Sequence, residues 1–303
     1  MSYEYRVERI NKVISEWGLE KKHDLMARYK VPKKDLDEFK IAVKLYISKA
    51  LNFSYPDDDE KFITLVDAAR NYRKNVTPNG AVVPKREFHL EYNMILRQWC
   101  KIIEQMTEKN KKLLSRFRAT PNIRIKFSEE LDDNVGRGLN TALPHSDAWV
   151  EGPWGMNCYF PLFGDVKKNN LHFYTPIKFE ERFLSTAATY NDMQWVLEFY
   201  KSDMSLLPEK DYITISDYAL IHNTMREKGA GTRISIDTTV FVGEHLPHPD
   251  RLIEYRSEIP KIGINEFIDA GKSENDAIKD NKTTFSHYTS GKIKSIYLEK
   301  FNQ

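Results

Sequence analysis

The residues best equipped for chemistry are His145, Asp147 and His222. His145 and Asp147 stand two apart in Leu143-Pro144-His145-Ser146-Asp147-Ala148-Trp149. In an extended segment, residues two apart point the same way, so the imidazole and the carboxylate can reach one space. His222 arrives later, in the apolar run Tyr218-Ala219-Leu220-Ile221-His222-Asn223. Two imidazoles and one carboxylate on one face of an iron leave open positions for other ligands. Among eight histidines a lone His-x-Asp means little; the second histidine and the arginine strand after it give the pattern weight.

That strand is Arg233-Ile234-Ser235-Ile236-Asp237, reached through the glycine-bearing stretch 225–231. The two apolar runs with that loop between them read as a hairpin. With its centre near Glu227-Lys228, the hairpin sets His222 opposite Arg233. Ser235 and Asp237 then share the Arg233 face, and Ile234 and Ile236 turn to the other. An arginine there offers a planar fork that grips a carboxylate with two N–H groups.

The order His145-x-Asp147, His222, Arg233-x-Ser235 resembles the ferrous, 2-oxoglutarate-dependent dioxygenases. Leu143 to Trp149 and Gly231-Thr232-Arg233-Ile234-Ser235-Ile236-Asp237 look more narrowly like the streptomycin-biosynthesis type from bacterial carbohydrate clusters. The matched motifs span about a third of the chain. The resemblance implies an all-β core with added helices: a double-stranded β-helix, or cupin-like jelly roll, with a helical N-terminal region packed on one sheet. It implies Fe(II) held by His145, Asp147 and His222, and 2-oxoglutarate held by Arg233 and Ser235. O2 is the co-reactant, and ascorbate helps to keep the iron reduced. Because Asp147 is present, hydroxylation or desaturation is the expected outcome. The substrate is a small polar metabolite: a sugar, an aminocyclitol or an amino-acid-derived intermediate. The alternative is a non-catalytic jelly-roll module that binds carbohydrate or metal.

Further candidates surround this set. Asn157 comes after the motif on an expected strand and is placed against the keto acid or substrate, or in the core. Trp149 and Trp154 wall a substrate pocket or pack the core. His172 and Tyr174 share one strand face and are candidates for the cavity. Arg226 is a candidate at its mouth, and Asp237 for substrate or a structural donor. His245 and His248 sit among prolines and read as a loop, not a second metal site.

The elements that must position these groups divide the chain in three. Residues 1–120 form the helical region. Ile10, Val13, Ile14 and Trp17 recur at helical spacing, as do Phe39, Val43 and Tyr46, and Phe62, Leu65 and Val66. The longest stripe runs from about Arg86 to Phe117. Residues 121–262 form the strand-rich core, with clean alternation in Asn122-Ile123-Arg124-Ile125-Lys126-Phe127. A helical insertion is expected near 180–202, and 263–303 is a polar tail.

Composition narrows the function classes. A net charge of +2 supplies no field for nucleic acid or a membrane surface. Aromatic residues at 12% argue against disorder. Cys100 and Cys158 read as small buried apolar groups. No apolar run long enough to span a bilayer occurs, and the opening residues do not form a signal peptide. The expected location is the cytoplasm, with a homodimer through the first helices as a further expectation.

Overall fold

The computed structural model describes residues 2–71, 75–77, 79–84, 88–128, 141–261, 266–269 and 297–300. Among the described residues, four helices close the apolar stripes of the first hundred or so positions. α1 (Tyr3–Trp17) starts where the Ser2 hydroxyl accepts from Tyr5 N–H, and stops at Gly18, whose φ of 70° favours glycine. α2 (Lys33–Ala50) starts behind Pro32. α3 (Asp59–Ala68) is capped by Asp58, which accepts from Lys61 N–H at 2.7 Å. α4 spans His89–Met106.

Three stretches differ from expectation. Glu20–His23 (β1) and Met26–Lys30 (β2) form a hairpin inside the supposedly helical region, and β2 joins a sheet. Five residues are too short a window for periodicity to separate strand from helix. The long helix stops at Met106. There Thr107 turns its hydroxyl back onto the Ile103 carbonyl at 2.9 Å, and Asn110 leaves helical geometry. Leu114–Phe117 is a strand, β3; Arg86, the expected start, lies outside the described residues. The insertion near 180–202 holds two 3-10 segments, Glu181–Leu184 and Asn191–Phe199, in place of an α-helix. Its aromatic side chains pack on one another, with Phe183 5.0 Å from Phe199 and 5.8 Å from Trp195 between ring centroids.

The remaining elements are β4 (Asn122–Lys126), α5 (Ala148–Glu151), β5 (Met156–Gly164), β6 (Asn169–Pro176), β7 (Tyr200–Asp203), β8 (Tyr212–Asp217), β9 (Ile221–Arg226) and β10 (Arg233–Val242). Among the described residues, β1 to β10 make two antiparallel sheets. The larger runs β1-β2-β8-β5-β10-β3, with β4 also on β10; the smaller runs β7-β6-β9. Gly164 ends β5 where a Cβ would lie 1.9 Å from the Thr232 carbonyl oxygen, so no side chain fits beside the start of β10.

Strand alternation divides the larger sheet into two faces. Ile123, Ile125, Cys158, Phe160, Ile213, Ile215, Ile234 and Ile236 share one buried core with Ile10, Phe39 and Trp99 of the helices. Phe39 stacks on Phe160 at 6.3 Å, and Phe62 meets Phe163 edge-on at 5.1 Å. Each such buried phenylalanine contributes about 1.5–3 kcal/mol. The intervening residues Arg124, Asn157, Tyr159, Arg233 and Ser235 line a cavity.

Of the tail from 263, only Glu266–Asp269 (β11) and Tyr297–Lys300 (β12) are described, paired antiparallel. The rest of that stretch lies outside the described residues. Among the described residues no helix is long and apolar enough to cross a membrane.

Candidate metal centre

His145 and His222 reach one place because their backbones pair. Each N–H donates to the other's carbonyl at 2.9 Å, adding His145 to the β9 edge of the smaller sheet. Ser146, buried between the two motif residues, donates its hydroxyl to the Tyr218 carbonyl at 2.6 Å. The chain then turns into α5, with Asp147 at its N-cap position. Glu151, at the other end of α5, accepts from the hydroxyls of Tyr218, Tyr255 and Thr239 at 2.5, 2.7 and 2.9 Å. This buried hub ties α5 to β10 and to the turn before β9.

The three ligand atoms all lie within 4.8 Å of one another. His145 Nε2 is 3.9 Å from Asp147 Oδ1, and His222 Nε2 is 3.8 Å from Asp147 Oδ2. Two ligands at about 2.1 Å from one ion stand at most roughly 4.2 Å apart, and both His–Asp pairs fall inside that limit. His145 Nδ1 lies 2.8 Å from the Leu143 carbonyl. A carbonyl only accepts, so Nδ1 carries the proton and Nε2 keeps the lone pair for a metal. Burial, and then the neighbouring His222, hold the His145 imidazole well below the usual histidine range. It is therefore neutral, the form that ligates. Tyr190 stacks on the His145 ring at 4.4 Å, with Trp149 edge-on behind it at 5.8 Å.

The cavity holds about 500 Å³, counting the space at its mouth, and runs from this triad to Arg233 and Ser235 on the opposite sheet. Arg233 is 1% exposed. Its Nε and Nη1, and the Ser235 Oγ, are buried without a hydrogen-bond partner among the described residues. Its Cζ lies 5.5 Å from the Tyr159 ring centroid, and burial lowers its pKa. Unsatisfied buried donors of this kind suit an anionic ligand with several acceptor oxygens. Arg124 is held by Asp237, Nε to Oδ1 at 2.6 Å, and Asn122 donates to the same carboxylate at 2.8 Å. Burial pushes the Asp237 carboxyl up, but Arg124 outweighs it and holds the pKa below the ordinary value.

The expected hairpin pairing of His222 with Arg233 is wrong. β9 pairs with β6, placing His222 opposite Phe173, while β10 pairs with β4 and β5, placing Arg233 opposite Lys126 and Gly164. The two residues line the same cavity from different sheets. Trp154 does not line the cavity: its ring stacks on His245 at 4.2 Å and sits 4.3 Å from the Arg6 guanidinium. Trp149 is core, bonded through Nε1 to the Phe183 carbonyl at 2.7 Å. His172 and Tyr174 do share a face, but Leu171 of β6 lines the cavity, so the alternate residues turn away. His172 Nε2 meets the Ser202 hydroxyl at 2.8 Å instead. Arg226 ends β9 opposite Asn169, outside the cavity lining. Asp237 lines the cavity as the carboxylate that holds Arg124. Asn157 lines it too, but donates Nδ2 to Asp147 Oδ2 at 2.8 Å. Sequence reasoning missed Arg124, Lys126, Thr141, Tyr159, Leu171, Tyr190 and Thr224. The signal for the first two was the pair of cations two apart on β4.

No family model matches the chain, and no curated protein does. Solved structures do. An N-substituted L-amino acid dioxygenase from Burkholderia ambifaria AMMD is 10% identical, with 78% of this chain and 88% of that one covered at a TM-score of 0.40. The non-heme alpha ketoglutarate dependent carbocyclase SnoK from nogalamycin biosynthesis is 11% identical, covering 80% and 84% at 0.40. AviO1 from Streptomyces viridochromogenes Tue57 is 10% identical, covering 79% and 97% at 0.41. With identities this low and scores below one half, the chemistry of the site rests on its own residues.

Proposed function

We propose that this chain is an Fe(II)- and 2-oxoglutarate-dependent oxygenase built on a double-stranded β-helix, acting on a small polar metabolite. One observation carries the reading. The triad His145, Asp147 and His222 opens into the same cavity as a buried arginine, two of whose donors have no partner among the described residues.

In this reading His145 and His222 bind iron through Nε2, and Asp147 adds one carboxylate oxygen. Arg233 takes the distal carboxylate of 2-oxoglutarate with its fork, and Ser235 donates a further hydrogen bond. Bound iron, 2-oxoglutarate and O2 supply the oxidising chemistry, with succinate and carbon dioxide as coproducts. Tyr190 and Trp149 close the outer side of His145 against water. Thr141, Thr224 and Tyr190, all hydroxyl-bearing, line the cavity beside the aliphatic Leu171. That lining suits a substrate rich in hydrogen-bonding groups, such as a sugar, an aminocyclitol or an amino-acid derivative. With a carboxylate ligand present, hydroxylation or desaturation is the outcome proposed.

The test is succinate formation from 2-oxoglutarate by protein reconstituted with ferrous iron and ascorbate, across a panel of sugars, aminocyclitols and amino acids. Succinate that rises with one substrate class supports the reading. Binding of iron and 2-oxoglutarate without succinate under any condition would favour a non-catalytic binding module.

A further inference from the structure

Asn157 sits on β5, the strand between β8 and β10, opposite Ser216 on one side and Thr239 on the other. A side chain on a strand hydrogen-bonded along both edges is held in place by its backbone. It is 8% exposed, and Nδ2 donates to Asp147 Oδ2 at 2.8 Å. The amide orientation follows from chemistry, because an ionised carboxylate only accepts and so must face the nitrogen. The other amide atom, Asn157 Oδ1, is buried without a partner among the described residues.

We propose that Asn157 is a positioning residue for Asp147 and does not bind the cosubstrate. This rests on the metal-centre reading above. By donating to Oδ2, which also lies 3.8 Å from His222 Nε2, the amide fixes the plane of the carboxylate and with it the position of Oδ1, 3.9 Å from His145 Nε2. 2-Oxoglutarate at neutral pH presents only acceptor oxygens. The amide oxygen left over on Asn157 is also an acceptor, so that atom cannot bond the cosubstrate, and one of the two Nδ2 hydrogens is already given to Asp147. That oxygen instead suits an O–H or N–H donor, carried by a hydroxylated or aminated substrate or by a bound water.

The test uses full-length wild type, Asn157→Ala and Asn157→Leu. Each is titrated with Co(II), followed by its visible absorption; 2-oxoglutarate is then titrated calorimetrically into the Co(II)-saturated proteins. Metal-free melting curves are recorded in parallel. Leucine keeps the side-chain volume, so it carries the test if the alanine variant does not fold. The Co(II) dissociation constant is expected to rise about 10–100-fold in the variants, the usual effect of losing an outer-shell partner. The 2-oxoglutarate affinity of the saturated proteins is expected to stay at the wild-type value. A lower melting temperature with unchanged Co(II) affinity would reduce Asn157 to packing and overturn the proposal. So would weakened 2-oxoglutarate binding with unchanged Co(II) affinity. Failure of the wild type to take up Co(II) would instead overturn the metal-centre reading, and this inference with it.

Discussion

Replacing Arg233 should move ligand affinity and stability in opposite directions. The guanidinium is 1% exposed, and two of its nitrogens have no partner among the described residues. In the ligand-free protein it is a buried cation without a carboxylate in salt-bridge range among those residues. Replacing buried charge with an apolar side chain of similar volume is often neutral or stabilising by about 1–4 kcal/mol. Arg233→Met should therefore leave the ligand-free melting temperature unchanged or raise it. The same change removes the proposed partner of a desolvated carboxylate. Truncating one member of a buried charge pair costs about 2–5 kcal/mol. At about 1.4 kcal/mol per decade, that is a loss of 2-oxoglutarate affinity between roughly thirty-fold and several thousand-fold. Arg233→Lys keeps the charge but loses the fork, and should recover part of the loss. The assay is anaerobic titration of the Fe(II)-loaded protein with 2-oxoglutarate, monitoring the metal-to-ligand charge-transfer band, beside thermal melts of the metal-free protein. Iron binding should survive, because no ligand is touched. Unchanged 2-oxoglutarate affinity in Arg233→Met would remove the residue from the site. A large drop in stability would show that its charge has a structural partner, and the reasoning would fail at its first step.

Asp147→Ala removes a proposed metal ligand and should weaken Co(II) binding by more than the roughly 10–100-fold expected for an outer-shell partner; wild-type affinity in the absorption titration would refute its assignment. Asp217 is buried and bonds Arg6 and Arg9 of α1, so Asp217→Asn should cost about 3–5 kcal/mol in chemical denaturation. Burial raises its pKa, but the two arginines outweigh burial and hold it below the ordinary value. The stability it contributes is thus fully present above the unfolded value of about 3.9 and lost only as pH falls through the lower folded value. An acid-unfolding profile unchanged in Asp217→Asn would contradict this. His172→Ala and Trp154→Ala should leave 2-oxoglutarate affinity unchanged, because both side chains lie outside the cavity. Trp154→Ala should lower the melting temperature, since its ring packs against Arg6, Arg9 and His245; weakened 2-oxoglutarate binding in either variant would return that residue to the site.

Local pattern was enough to pick out the three residues that the fold gathers as a candidate metal centre, and the strands around them. The alternation in Asn122–Lys126 and Arg233–Asp237 separates apolar from polar faces, because successive side chains on a strand point oppositely whatever the strand pairs with. His145-x-Asp147 was readable because groups two residues apart stay close, although the chain is not extended there and turns into α5 at Asp147. The helical stripes of α1, α2 and α3 were also legible, since their apolar spacing is a property of a few consecutive turns.

Partnership between distant segments was decided only by the tertiary structure. Alternation says that His172 and Tyr174 share a face, but which face meets the cavity depends on how β6 lies between β7 and β9. Likewise, the order of His222 and Arg233 along the chain suggests a hairpin, yet β9 spends its hydrogen bonds on β6, and β10 on β4 and β5. Trp154 stands close behind the metal motif but packs on arginines near the chain's start. That Asn157, expected against the cosubstrate or substrate or in the core, also donates to Asp147 was decided in the same way. Side-chain direction is set by bonds between neighbouring residues, so the sequence determined which groups point together. Which of them meet is set by long-range packing, where the burial of one sheet face against the helices leaves the other face to enclose the site.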